Sequence, residues 1–214
     1  MLRVSGLVHL VRVGDEVLRC ELRGRLKEGR RTTTSPVYVG DWVQVEPTSA
    51  CAGVIESVEP RCSRFSRGAS GEADREQVIA VNLDQLVVVA AVHEPEVRPG
   101  FIDRALIMAT RGHMRPLVCI NKADLAAGLE LDELSAAYTD LGYMVVCTSA
   151  VTGTGVELLA AALRGRTSGL VGQSGVGKSA LLNRIDPNLR LRTQEIMRQH
   201  DRGRHTTSAA QLFE

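Results

Sequence analysis

Eight consecutive residues, Gly172 to Ser179, have the types and spacing needed to bind a polyphosphate. They match the pattern G-x-x-x-x-G-K-[ST] at every fixed position. Glycines let the backbone approach an anion closely, so that successive N–H groups can point at phosphate oxygens. We expect the whole loop and the residue after it to contact the ligand. These residues are Gly172, Gln173, Ser174, Gly175, Val176, Gly177, Lys178, Ser179 and Ala180.

Two side chains of this loop predict phosphoryl chemistry. Lys178 would act in catalysis by reaching the β- and γ-phosphates, and Ser179 would offer its hydroxyl to Mg²⁺. A strand is predicted at 169–171 and a helix at 179–185, and the positive end of that helix would face the phosphates. The alternative is a glycine-rich turn before an ordinary helix, which the agreement of the loop with both flanks disfavours.

A second motif, N-K-A-D at residues 121–124, follows the apolar residues 118–120. Asp124 would accept hydrogen bonds from the N1–H and the N2 amino group of guanine, two donors that adenine lacks. Asn121 would reach the opposite edge of the base and the phosphate loop, and the alkyl stem of Lys122 would lie along the base. The motif alone also fits the start of a helix capped by Asp124. Combined with the phosphate loop, it favours guanine.

The base-reading residues precede the phosphate loop in this chain. Ser149 and Ala150 follow the next predicted strand, and one of their backbone N–H groups would donate to guanine O6. In ordinary small GTPases the phosphate loop comes first. A site assembled from strand ends survives such a rearrangement, because domain termini tend to lie close together. The order of the motifs therefore predicts a circularly permuted domain.

Apolar strands alternate with helical stretches in the second part of the chain. Strands are predicted at 85–92, 116–120, 144–147 and 169–171, and helices at 101–111, 131–141, 156–163 and 179–185. The strands are continuously apolar, which indicates that both of their faces are covered. This pattern predicts an α/β domain with a parallel sheet between helices, whose ligand crevice lies at the carboxyl ends of the strands.

Residues 1–67 contain short strands separated by turns, and they predict a five-stranded β-barrel of the oligonucleotide-binding type. Residues 68–77 are small and polar and predict a linker, so that the α/β domain spans 78–214. Two basic clusters would either contact a phosphate backbone or form solvated loops, and interleaved glutamates favour the second. The clusters are Arg23, Arg25, Lys27, Arg30 and Arg31, then Arg61, Arg64 and Arg67.

The composition indicates a cytoplasmic protein. With 26 basic and 25 acidic residues, the net charge does not itself predict nucleic-acid binding, so any basic patch must be local. The five cysteines are scattered, without the spacing of a metal site, which favours a reducing compartment. No apolar run approaches the length of a membrane helix, and no signal-peptide pattern is present. We expect a monomer without a membrane partner.

Taken together, these motifs resemble the RsgA family, the ribosome small subunit-dependent GTPases, over essentially the whole chain. The resemblance rests on residues 60–67, 81–86, 121–124, 172–183 and 202–207. It implies a barrel docked on ribosomal RNA (rRNA), and GTP hydrolysis to GDP, with Mg²⁺, stimulated by the small (30S) ribosomal subunit. It also implies a role late in the maturation of that subunit.

The resemblance assigns residues 202–207 to the first switch segment. Thr207, or alternatively Thr206, would then bind Mg²⁺ and sense the γ-phosphate, and His205 would position or activate the attacking water. By chemistry alone, His205 is also consistent with a solvated loop histidine, since such a side chain titrates near neutrality.

Two features of the family do not occur in this sequence: a D-x-P-G segment after the first switch and a Cys/His zinc site. We therefore expect no zinc ligands, a C-terminally incomplete α/β domain and an open sheet edge. These departures predict impaired hydrolysis by the 214-residue chain alone. They also support a second hypothesis, a non-catalytic fragment that acts as an RNA- and nucleotide-binding module. A third hypothesis, an ATP-dependent kinase, is disfavoured by Asp124.

Overall fold

The computed structural model describes residues 1–5, 8–27, 35–68, 76–191 and 212. They form two compact units, of which the first includes Met1–Leu83 and the second begins at Asp84. None of the described helices is long and apolar enough to cross a membrane.

The first unit is built from strands. They are β1 (Arg3–Ser5), β2 (Val8–Val13), β3 (Glu16–Leu22), β4 (Val43–Ser49), β5 (Ala52–Val58), β6 (Arg64–Gly68) and β7 (Glu76–Val81), with one short helix, α1 (Gly24–Lys27). The first five form one sheet in the order β1-β2-β3-β5-β4. β3 and β5 pair in parallel, whereas the other neighbours are antiparallel. The predicted five-stranded sheet is confirmed, and β6 and β7 form a separate two-stranded sheet.

The core of this unit follows from side-chain alternation along the strands. Val11 in β2 and Leu18 and Cys20 in β3 point inward and pack with Val37 and Ile55, which are both fully buried. Successive side chains of a strand point to opposite faces, so the residues between them point outward.

A buried carboxylate, Asp41, determines where β4 starts. β4 begins at Val43, directly after the turn at Gly40 and Asp41. Gly40 has a φ of +91°, and the Asp41 carboxylate accepts the Tyr38 N–H at 2.7 Å, so the chain turns here instead of extending. Arg61 donates two hydrogen bonds of 2.7 and 2.9 Å to Asp41, and its guanidinium lies 5.0 Å from the centre of the Tyr38 ring.

The hairpin of β6 and β7 lies on either side of the predicted linker. The hairpin belongs to the first unit, and the division between the two units falls after it, at Leu83 and Asp84. The sequence placed the start of the α/β domain at residue 78. Residues 69–75 lie outside the described residues, and the domain bounds remain a prediction.

The second unit alternates strands and helices. The strands are β8 (Gln85–Ala91), β9 (Arg115–Asn121), β10 (Met144–Cys147) and β11 (Ser168–Val171), and the helices are α2 (Pro99–Arg111), α3 (Glu130–Thr139), α4 (Val156–Leu163) and α5 (Lys178–Ile185). The sheet has the order β10-β9-β8-β11 with every pair parallel. Helices α4 and α5 pack on one face, and α2 and α3 on the other. The predicted α/β architecture is confirmed.

β8 runs through the middle of this unit and is buried along its whole length. β11, which precedes the phosphate loop, is an edge strand of the described sheet, and its residues are only partly buried. A parallel sheet brings the carboxyl ends of β9, β10 and β11 to the same edge, where the predicted ligand crevice lies.

Replacing Asp41 by Asn should destabilise the protein, because the variant keeps the shape of the side chain but leaves Arg61 without its counter-charge. The Arg61 side chain is 27% exposed, so solvent screens part of the loss. We expect the free energy of unfolding to fall by about 1–3 kcal/mol, measured by urea denaturation. Glu16→Gln removes an exposed carboxylate from β3 of the same unit and should leave the midpoint of urea denaturation unchanged. Equal midpoints for the two variants would contradict the role of Asp41.

Candidate nucleotide-binding site

The phosphate loop lies between β11 and α5, as the sequence predicted. Gly175 and Gly177 have φ angles of +84° and +93°, a conformation that glycine adopts without strain. Val176 is buried and anchors the loop to the core formed with α4 and α5. Among the described residues, no acceptor is bonded to the backbone N–H groups of residues 174–177. These groups are therefore open to an anion.

Lys178 begins α5 and folds back over the loop. Its Nζ donates to the carbonyl oxygens of Gly172 and Gln173, both at 2.8 Å. Burial lowers the pKa of Lys178 from its ordinary value, because the ammonium group loses part of its hydration. A phosphate would supply the missing negative charge and compete with the two carbonyls for the ammonium protons.

Asn121 connects the two predicted motifs. Its side chain is buried, and Nδ2 donates to the Val176 carbonyl at 2.8 Å. Because Nδ2 is the donor of the amide, Oδ1 must accept, and it accepts from Thr148 Oγ1 at 3.1 Å. Thr148 Oγ1 has one proton, which it donates to Asn121. The Cys119 thiol lies 3.3 Å from the same oxygen, so the thiol is the donor of the hydrogen bond between Cys119 and Thr148. These four residues form a buried series of hydrogen bonds, in which every donor points toward the Val176 end.

The protonation of the Cys119 thiol agrees with its role as the donor to Thr148. Burial raises its pKa to about 11. The thiol therefore keeps its proton at neutral pH and can donate.

Two glycines of the loop are required by close contacts. A Cβ at Gly177 would overlap Asn121 Nδ2, and a Cβ at Gly172 would overlap the Val89 carbonyl oxygen. The close approach of β8 and β9 to the loop therefore requires glycine at these two positions.

The predicted base-reading residues lie at the ends of β9 and β10. Asp124 is in the turn after β9, and Ser149 Oγ donates to its Oδ1. The Ser149 N–H donates to the Thr154 carbonyl at 2.9 Å and is not available to a base. The Ala150 N–H has no acceptor among the described residues. Of the two predicted donors to guanine O6, Ala150 is therefore the open one.

Lys122 makes a contact that the sequence did not predict. Its φ is +59°, and its Nζ donates to the carbonyl of Glu94, in the segment between β8 and α2. The side chain thereby links the end of β9 to the end of β8. Its predicted contact with a base remains a prediction.

The residues that could hold Mg²⁺ are described only in part. Ser179 is partly buried in the first turn of α5, and its hydroxyl has no hydrogen-bond partner in the described part of the chain. That hydroxyl fits Mg²⁺ bound to a nucleotide, for which phosphates and water supply most ligands. The described residues contain no group of three or more His, Cys, Asp or Glu side chains that could hold a metal ion. His205, Thr206 and Thr207 lie outside the described residues.

Sequence reasoning gave no role to two polar residues that position the strand before the loop. The Asp84 carboxylate accepts the Thr167 N–H at 2.7 Å, and the Gln85 amide donates to the Ala162 carbonyl and to Ser168 Oγ. These contacts hold β11 beside β8. Gln85 offered a signal, because a polar residue at the start of a continuously apolar strand is buried only when it is hydrogen-bonded. Asp84 is exposed and offered none.

Comparison with protein families gives a match to the RsgA GTPase model over residues 58–214. The chain is 34% identical over 217 residues to the small ribosomal subunit biogenesis GTPase RsgA of Bacteroides fragilis, covering 100% of this chain and 70% of that protein. It is 38% identical over 203 residues to the protein of the same name from Thermotoga petrophila, covering 94% and 63%. It therefore spans about two thirds of the length of these relatives.

Two solved structures are similar to this chain. YjeQ from Thermotoga maritima has a TM-score of 0.71 at 34% identity, covering 90% of this chain and 66% of that one. YloQ, a circularly permuted GTPase, has a TM-score of 0.62 at 26% identity, covering 87% and 63%. The circular permutation predicted from the order of the motifs is confirmed.

Replacing Thr148 by Val should weaken nucleotide binding without changing the shape of the side chain. The variant leaves Asn121 Oδ1 and the Cys119 thiol unpaired, so the amide is no longer held toward Val176. We expect the Kd for GDP to rise roughly 5- to 30-fold, equivalent to about 1–2 kcal/mol, by isothermal titration calorimetry. Thr139→Val, on the exposed side of α3, is the matched control. An unchanged Kd in Thr148→Val would contradict the positioning role.

Proposed function

The chain belongs to the RsgA GTPase family, and on that premise we propose that it binds GTP and hydrolyses it to GDP and phosphate in the late maturation of the small (30S) ribosomal subunit. Its curated relatives are named small ribosomal subunit biogenesis GTPases. The observation that supports the proposal most is the hydrogen bond from Asn121 to Val176, because it joins the guanine-reading motif to the phosphate loop.

Base selection in this proposal rests on the end of β9 and the end of β10. Asp124 accepts from the two donors of guanine, and the open N–H of Ala150 donates to O6. The Ser149 hydroxyl supports this arrangement, because its bond to Oδ1 holds the Asp124 carboxylate in place. Adenine would present an acceptor to the carboxylate, so ATP is the disfavoured nucleotide.

Catalysis in this proposal is the transfer of the γ-phosphoryl group to water. Lys178 and the open N–H groups of the loop stabilise the charge on the phosphates. Ser179 and Thr207, or alternatively Thr206, hold Mg²⁺, which when bound neutralises further charge on the triphosphate. His205 orients the attacking water. Positioning and charge therefore carry the reaction, without a covalent intermediate on the protein.

The proposed partner is the small ribosomal subunit, contacted through its rRNA by the first unit. We propose that the protein acts as a monomer in the cytoplasm, where the small subunit is assembled. The scattered free cysteines support a reducing compartment.

Replacing Asp124 by Asn should change the base preference. An amide can donate to the C2 carbonyl of xanthine but cannot accept from both guanine donors at once. We expect GDP to bind at least about tenfold more weakly, the loss of roughly one charge-assisted hydrogen bond, while xanthosine diphosphate binds more tightly than to the parent. Calorimetry with GDP, ADP and xanthosine diphosphate measures the three affinities. Equal affinity of the parent chain for ADP and GDP would refute the guanine assignment.

Hydrolysis tests the function itself. Single-turnover hydrolysis of GTP by the 214-residue chain should accelerate when purified small subunits are added. His205→Ala should abolish the acceleration while keeping the parent's affinity for GDP, because the histidine acts on water and not on the diphosphate. Tight GTP binding without any stimulated turnover would instead support the non-catalytic RNA- and nucleotide-binding module.

A further inference from the structure

Residues 122–130 lead from β9 into α3 and carry Asp124, the proposed reader of guanine. We call this segment the base loop. We infer that an ion pair between His93 and Glu130 fixes the base loop on the end of β8 and thereby determines how well the site selects guanine. The two residues are positioning residues, since neither belongs to the proposed contacts with the nucleotide. The inference rests on the proposed function and adds two residues that control its base specificity.

The base loop is attached to the end of β8 at its own start. Val92, directly after β8, donates its N–H to the Asn121 carbonyl at 3.1 Å, and Lys122 Nζ donates to the Glu94 carbonyl. Lys122 has a φ of +59°, a conformation that is unfavourable for a residue other than glycine, so the turn needs contacts that hold it. The residues that follow β8 supply these contacts.

The same segment is attached to the far end of the base loop through Glu130. His93 Nε2 lies 2.8 Å from Glu130 Oε2, and the Ala127 N–H donates to the same oxygen at 3.4 Å. The hydrogen bond with His93 lowers the pKa of the Glu130 carboxyl, so the group is ionised at neutral pH and can only accept. His93 Nε2 is therefore the donor. One carboxylate thus joins the end of β8 to two positions of the base loop.

Asp124 lies between these attachments in the chain, and its own contacts are with the residues that follow β10. The Ala123 N–H donates to the Thr148 carbonyl at 3.0 Å, and Ser149 Oγ donates to Asp124 Oδ1. In the sheet, β9 lies between β10 and β8. The base loop at the end of β9 is therefore held by the ends of both neighbouring strands, which fixes the place of the carboxylate along this edge of the sheet.

Recognition of guanine by a carboxylate is sensitive to such a placement. In the proposed site, Asp124 accepts from the N1–H and from the N2 amino group at the same time. Hypoxanthine, the base of inosine nucleotides, has the N1–H but lacks the amino group. A carboxylate that shifts cannot keep both hydrogen bonds within the preferred distances and angles. The preference for GDP over inosine diphosphate therefore measures the position of the base loop.

The exposure of the ion pair limits the size of the effect. The side chains of His93 and Glu130 are 46% and 51% exposed. Ion pairs in contact with solvent change an equilibrium by roughly two- to fivefold. We therefore expect a change of this size in nucleotide affinity and none in whether the protein folds.

The test is a double-mutant cycle of His93→Ala and Glu130→Ala in the 214-residue chain. Isothermal titration calorimetry gives the Kd for GDP and the Kd for inosine diphosphate for each variant. Each single variant should raise the Kd for GDP roughly two- to fivefold and bring the two Kd values closer together. The double variant should match the weaker-binding single variant, because both replacements remove the same contact.

Two further variants of α3 separate positioning from a general effect of charge. Glu130→Gln keeps an acceptor for the His93 N–H and should restore the affinity for GDP and the preference over inosine diphosphate. Glu133→Ala removes another exposed carboxylate from the first turn of α3, so it makes the same change in net charge and in the interaction with the helix dipole. It should leave both Kd values unchanged. A thermal unfolding midpoint close to that of the parent shows that each variant is folded.

The outcomes separate this inference from the proposed function. If the parent prefers GDP and both single variants keep its two Kd values, the ion pair has no positioning role and the proposed function stands. Additive effects in the double variant, or an equal loss in Glu133→Ala and Glu130→Ala, would also overturn the role of the pair. A parent that binds GDP and inosine diphosphate equally overturns this inference together with the guanine assignment of the proposed function.

Discussion

The hydrogen bond from the Asn121 amide to the Val176 carbonyl is the contact on which the nucleotide site depends. It joins the end of β9 to a loop 55 residues later in the chain. The amide must be oriented for this bond, and the Thr148 hydroxyl orients it. The amide also occupies the space of a side chain at Gly177, so the loop needs glycine there for a reason beyond its φ angle. One buried polar contact thus restricts the residue types at several positions.

The parallel sheet explains why the order of the motifs along the chain does not matter to the site. In the order β10-β9-β8-β11, the carboxyl ends of β9, β10 and β11 reach the same edge. β8 stands between the base-reading strands and the strand of the phosphate loop, and Asp84 and Gln85 fasten it to β11. Chain connectivity can therefore be permuted, because the site is formed by strand ends and not by consecutive segments.

The first unit shows that arginines which look alike in the sequence have different roles in the fold. Arg61 holds a buried carboxylate and covers the Tyr38 ring, so its charge is used inside the protein. Arg23 is likewise paired with two glutamates. Arg3 and Arg19 point to solvent from the outward side of the sheet. Local charge density is thus a poor guide to binding surfaces, since pairing across strands decides which charges remain available.

Most of the second unit could be predicted from the sequence, and so could the residues proposed for the nucleotide site. The loop at 172–179, the N-K-A-D motif and the strands and helices of the α/β unit were predicted within a few residues, because periodicity and continuous apolar runs are local properties. The structure was needed to show that Arg61 holds Asp41, that Thr148 orients Asn121, and that Ala150 and not Ser149 has an open N–H. Each of these depends on a partner distant in the chain, such as Arg61 for Asp41, and no local pattern records such a contact.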